Sequence, residues 1–186
     1  MDIQNAAATR NWYALLTRHQ HEKSVALSLS NKNQEVYLPL FRSVRRWQDR
    51  AKQIWLPLFP GYVFIRGGME RQLEIVTTPG VVHIVSCGGR PAIVPQIQLD
   101  AVRRIIESSL DVETHPYLQC GERVRVKTGP LMGLEGILIR TKGVDRLVVS
   151  MEILGRSAAV EIDVSNVGRV GPFLVPKVPN RISASA

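Results

Sequence analysis

The apolar residues fall in short blocks between turn residues, and their period changes along the chain. Asn11-Trp12-Tyr13-Ala14-Leu15-Leu16 predicts a first strand. Residues 22–31 predict a helix with Val25, Leu27 and Leu29 as apolar positions, stopped by Asn31-Lys32-Asn33. Val36-Tyr37-Leu38-Pro39-Leu40-Phe41 predicts a second strand, with Pro39 marking an edge or a bulge. The organising stretch is Pro57-Leu58-Phe59-Pro60-Gly61-Tyr62-Val63-Phe64-Ile65-Arg66. Pro60 fixes φ, Gly61 supplies conformational freedom, and an aromatic, β-branched strand follows without a polar break. Phe59 and Tyr62 flank the bend. They are either anchors held at a sheet edge within reach of a partner, or side chains of an ordinary buried strand.

Further along, residues 69–77 predict a short helix ended by Thr78-Pro79-Gly80, and Val81-Val82-His83-Ile84-Val85 a strand. Residues 87–91 read as a loop and Ala92-Ile93-Val94 as a short strand. Pro95 opens a helix to Ser108 with Ile97, Val102, Ile105 and Ile106 near one face. Strands alternating with helices over residues 11–109 predict an α+β domain, a sheet layered with helices. Residues 110–119 lack a period, contain Pro116 and predict a flexible linker. From Cys120 the period becomes two, with Val124 and Val126 alternating with Arg123, Arg125 and Lys127. Glycine-punctuated strands then predict a small closed barrel over residues 120–171. Residues 1–10 and 172–186 predict disordered ends.

Composition changes the picture little: 186 residues, 45% hydrophobic and 22% charged, describe an ordinary globular chain. No apolar run approaches a membrane span and no signal-peptide core is visible, so a cytoplasmic location is expected. Cys87 and Cys120 lack CxxC spacing, and His19, His21, His83 and His115 are scattered, so no metal site is expected. Charge adds more. The net charge is +8. Residues 42–53 carry Arg42, Arg45, Arg46, Arg50 and Lys52 against Asp49, with Trp47 among them. This predicts a basic hairpin, either simply solvated or lying along a phosphate backbone. No nucleophile elbow, P-loop or HExxH motif occurs, and the reading is a non-enzyme without a cofactor.

Gly121-Glu122-Arg123-Val124-Arg125-Val126-Lys127-Thr128-Gly129-Pro130-Leu131-Met132-Gly133-Leu134-Glu135-Gly136-Ile137 resembles a KOW motif, a strand–loop–strand of NusG-family transcription factors and some ribosomal proteins. Trp12-Tyr13, the Pro-Gly-Tyr strand, Thr78-Pro79-Gly80-Val81 and Arg90-Pro91-Ala92-Ile93-Val94-Pro95 resemble, in order, the NusG N-terminal (NGN) domain. Ile153-Leu154-Gly155-Arg156 and Val160-Glu161-Ile162-Asp163 continue the pattern. The resemblance spans about residues 11–170. Pro57-Leu58-Phe59-Pro60 and Pro91-Ala92-Ile93-Val94-Pro95 look closest to the specialised RfaH and UpxY-type branch.

The resemblance implies an NGN domain, an antiparallel sheet flanked by helices, followed by an SH3-like KOW barrel; the KOW segment of RfaH can fold as helices, whereas the Val, Ile and Gly turns here favour a permanent barrel. It implies a monomeric transcription elongation and antitermination factor that reduces pausing and termination. Leu16, Phe59 and Tyr62 match the depression that docks on the clamp helices of the largest RNA polymerase subunit, and Arg71 and Gln72 match a second polymerase contact. Arg18, His21 and Thr78, with Lys23 beside them, match the face that reads non-template DNA of the transcription bubble. Ile153, Leu154 and Arg156 match the barrel turn that meets a small-subunit ribosomal protein or Rho. Housekeeping NusG acting with Rho and the ribosome, or a ribosome-associated KOW RNA-binding protein, are the competing readings.

Overall fold

The computed structural model describes residues 10–47, 50–108, 110–116, 121–141 and 143–170. The expected disordered ends lie outside these residues, apart from Arg10. The elements run β1 (Trp12–Thr17), α1 (Glu22–Asn31), β2 (Glu35–Tyr37), β3 (Leu40–Trp47), β4 (Arg50–Pro57) and β5 (Tyr62–Arg66). A 3-10 turn (Met69–Arg71) leads into α2 (Gln72–Val76), followed by β6 (Val81–Ile84), β7 (Ser86–Cys87), β8 (Arg90–Pro91), β9 (Ile93–Val94) and α3 (Gln96–Glu107). The C-terminal part is β10 (Val112–Pro116), β11 (Glu122–Val126), β12 (Glu135–Thr141), β13 (Val144–Met151), β14 (Arg156–Glu161) and β15 (Val167–Arg169).

The first sheet has the order β2-β5-β1-β6, with β9 also pairing β1, and every pairing is antiparallel. Its two central strands are apolar on both faces because both faces are covered. Leu15, Val63 and Ile65 face Val25 and Leu29 of α1 and Ile75 of α2. Trp12, Ala14 and Phe64 alternate to the other side, where Leu58, Phe59, Val94 and α3 residues Leu99 and Val102 pack on them. That alternation explains the unbroken apolar run from Tyr62 to Ile65. In α1, Val25 and Leu29 are one turn apart and buried, whereas Leu27 is exposed. Ile97 of α3 is likewise exposed; Leu99, Ala101, Val102 and Ile105 form the buried face.

The basic segment is a hairpin, β3 paired with β4 as a separate two-stranded ribbon. Residues 87–91, expected as a loop, contribute the tiny hairpin β7–β8. The C-terminal sheet has the order β10-β14-β13-β12-β11-β15. The KOW glycine Gly136 sits where a Cβ would lie 2.6 Å from the Val148 carbonyl oxygen, so the close strand approach requires its missing side chain.

One expectation is corrected here. Residues 112–116 are not flexible linker: β10 pairs with β14 along its length, from Val112 opposite Val160 to Pro116 opposite Arg156. It is the end strand of its sheet, a position that tolerates Pro116. The two halves also form a continuous packed body. Leu99 and Val102 of α3 share a cluster with Met151, Leu154 and Ala158 of the barrel. Ala101 and Ile105 share another with Val124, Val126, Leu147 and Val160. Arg104 donates a hydrogen bond to the Met132 carbonyl across the same junction.

Candidate functional site

The bend at Pro60-Gly61 is held by β1 and by α1. Gly61 adopts φ +85°, open to glycine at little cost. Its carbonyl accepts from the Thr17 N–H at 2.8 Å. Its N–H donates to Oε1 of Glu22 at 2.7 Å. Glu22 is 4% exposed, an unusual burial for a carboxylate, and this hydrogen bond gives it a partner. The motif reading missed Glu22, whose acidic character at the first turn of a helix looks like ordinary dipole matching.

The bend presents its aromatics differently from the sheet-edge expectation. Phe59 is 1% exposed and meets Phe64 edge to face, with centroids 6.2 Å apart. It belongs to the cluster containing barrel residues Met151, Leu154 and Ala158, with Tyr62 and Ile153 half-buried against it. In this conformation Phe59 is therefore not a free anchor. Leu154 is buried and Arg156 exposed. Leu16 is half-buried, and its Cδ1 lies close to the bend at Gly61. Phe59 and Tyr62 of the expected polymerase face and Ile153 and Leu154 of the expected barrel face thus share one apolar cluster.

Beside this core, α3 is fixed to the sheet by polar links. Trp12 Nε1 donates to Gln96 Oε1 at 2.7 Å, and Arg103 lies 4.7 Å from the Tyr37 ring centroid and 5.3 Å from that of Trp12. Burial pushes the Tyr37 hydroxyl up to about 12, a rise that nearby Arg103 opposes.

Arg18, His21 and Lys23 are exposed and adjacent at the entry to α1. The Arg18 N–H donates to the Gly80 carbonyl, and a Cβ at Gly80 would touch His21, so the turn after α2 packs against this face. Thr78 does not present its hydroxyl there. It is 1% exposed, and its Oγ1 donates to the Glu74 carbonyl and accepts from Lys32 Nζ at 2.8 Å. Arg71 and Gln72 are exposed on the far end of α2, where Arg71 makes a 3.8 Å ion pair with Glu74 that contributes little at such exposure. Among the described residues, no group of three or more His, Cys, Asp or Glu side chains is placed to hold a metal, and no helix is long and apolar enough to cross a membrane.

An antiparallel α+β domain carrying a cationic face, joined to a KOW-type barrel, is a protein of NGN–KOW architecture. The family model described as "Transcription termination factor nusG" matches residues 10–103, and the chain belongs to the NusG family. The Staphylococcus carnosus transcription termination/antitermination protein NusG is 26% identical, aligned over 90% of this chain and 100% of that protein. The Pseudomonas aeruginosa protein of the same name is 27% identical over 87% and 99%. Among solved structures, one described as domain interaction in Thermotoga maritima NusG has a TM-score of 0.54 at 24% identity, covering 87% of this chain and 97% of that one; this likeness is one of fold. The chain is a transcription elongation and antitermination factor, and proteins of its family interact with RNA polymerase and are in general not enzymes.

Proposed function

We propose that this factor binds the clamp helices of RNA polymerase through Leu16, Phe59 and Tyr62, and that it does so only after the barrel has left that surface. The observation that carries this reading is the shared cluster of Phe59, Tyr62, Ile153 and Leu154. An aromatic pair of this kind is the residue type that dominates interface energies, and it cannot engage two partners at once. Separation frees both faces together: the sheet domain for polymerase, and the Ile153, Leu154 and Arg156 turn for a ribosomal protein or Rho. Arg71 and Gln72 then provide a second, polar polymerase contact. Arg18, His21 and Lys23 meet non-template DNA, phosphates by the cations and a base by the imidazole. Thr78 acts by holding Lys32 rather than by touching DNA. The result is reduced pausing and termination, achieved by bridging and positioning without bond-making. The proline-framed stretches 57–60 and 91–95 support membership of the specialised RfaH and UpxY-type branch. Capture of polymerase by the full chain and by Tyr62→Ala tests the docking face: equal capture by both proteins contradicts it. Depletion that alters a few long operons supports the specialised branch, and genome-wide change overturns it.

A further inference from the structure

The hairpin β3–β4 has an inner and an outer face. Phe41 packs on the core cluster, and its cross-strand partner Leu56 shares its side of the ribbon. The next pair, Arg42 opposite Trp55, points the other way, and both residues are exposed. Trp55 is 56% exposed, so most of a large aromatic is left in water although burial would stabilise it. Lys23 Nζ donates to the Trp55 carbonyl oxygen at 2.8 Å, which brings the first turn of α1 to the base of the ribbon. Two cationic residues thus neighbour Trp55: Arg42 opposite it in the ribbon register, and Lys23 through its bond to the Trp55 backbone carbonyl. Among the described residues, no carboxylate pairs with Arg42.

We infer that Trp55, flanked by Arg42 and Lys23, is a stacking platform for a base of single-stranded DNA, and that it extends the Arg18, His21 and Lys23 face onto the ribbon. Every base offers a π-face, so the platform tolerates sequence, while the two cations take the adjoining phosphates. The inference rests on the proposed DNA face for its continuity, but not on polymerase docking. Arg18, His21, Lys23, Arg42 and Trp55 are all exposed while Phe59 is covered.

The test is titration of the full chain, without polymerase and at low salt, with a short oligothymidylate and with a duplex of equal length. Circular dichroism checks that each variant is folded. Trp55→Ala is expected to weaken single-strand binding on the order of tenfold, with Trp55→Tyr retaining most of it. Lys23→Ala or Arg42→Ala is expected to lower the salt slope by about 0.7 each. Trp55→Ala binding as tightly as the parent while Arg18→Ala weakens it overturns the platform and leaves the DNA face standing. Absence of single-strand binding by the parent, or an equal loss of duplex and single-strand binding in Trp55→Ala, also overturns it. Retained oligothymidylate binding with absent polymerase capture leaves the platform supported and the docking reading refuted.

Discussion

Phe59 and Leu154 are buried in one apolar cluster, although one belongs to the sheet domain and the other to the barrel. The residue expected to grip polymerase and the residue expected to recruit a barrel partner are therefore both sequestered in the same core. A mutation at either has two effects, one on the closed pair and one on the outside partner.

Weakening the contact without touching either face should increase polymerase capture. Ala101 lies on the α3 face that meets the barrel cluster and is 8% exposed. Ala101→Arg places a long charged chain in that seam, and overpacking of this kind typically costs about 1–3 kcal/mol. Capture is expected to rise several-fold while the sheet domain stays folded, as judged by circular dichroism and pulldown.

Phe59→Ala should cost stability as well as binding. Truncating a fully buried Phe costs roughly 3–5 kcal/mol. Tyr62→Ala, at a half-buried position, should lose less stability and a comparable share of binding. Denaturant melts beside the pulldown separate the two effects.

Glu22→Ala removes the acceptor of the Gly61 N–H and leaves that half-buried donor without it. An unsatisfied donor costs about 1–3 kcal/mol when fully buried, so the loss should fall at or below the lower end. Glu22→Gln keeps an acceptor oxygen and should retain most of the stability, measured by the denaturation midpoint.

Gly136→Ala forces a methyl against backbone, the Val148 carbonyl oxygen, which cannot rotate away. The barrel should lose roughly 1–3 kcal/mol, and thermal melting should show it.

Tyr37 gives a pH signature. Its hydroxyl is raised to about 12 from the ordinary 10.0, because burial disfavours the phenolate. A raised folded value means the folded state holds its proton longer than the unfolded chain. That contribution is fully present below pH 10 and is lost as pH climbs toward about 12. Tyrosinate absorbance should show one late-titrating tyrosine, absent in Tyr37→Phe.

Much of this was legible in the residues. The helix at 22–31, the central strand after Pro60-Gly61 and the glycine-rich barrel all follow from local period and turn chemistry. What escaped depended on partners far along the chain. Residues 112–116 carry alternation too weak to announce a strand until β14 pairs with them. Nothing local to Phe59 reveals that the barrel packs over it. Thr78 resembled a DNA contact because motif position says nothing of a hydroxyl turned inward to Lys32. Trp55 was passed over for Trp47, since the two faces of the ribbon become distinct only once Phe41 and Leu56 are seen on the core side.

The covering of one face by the other is tested most directly by dipolar distance measurement between spin labels at exposed Leu73 and exposed Met132. Cys87 and Cys120 are replaced by Ser for this purpose. The free factor should give one narrow distribution, and addition of polymerase should shift and broaden it. An unchanged narrow distribution in a polymerase complex that Tyr62→Ala abolishes contradicts the account.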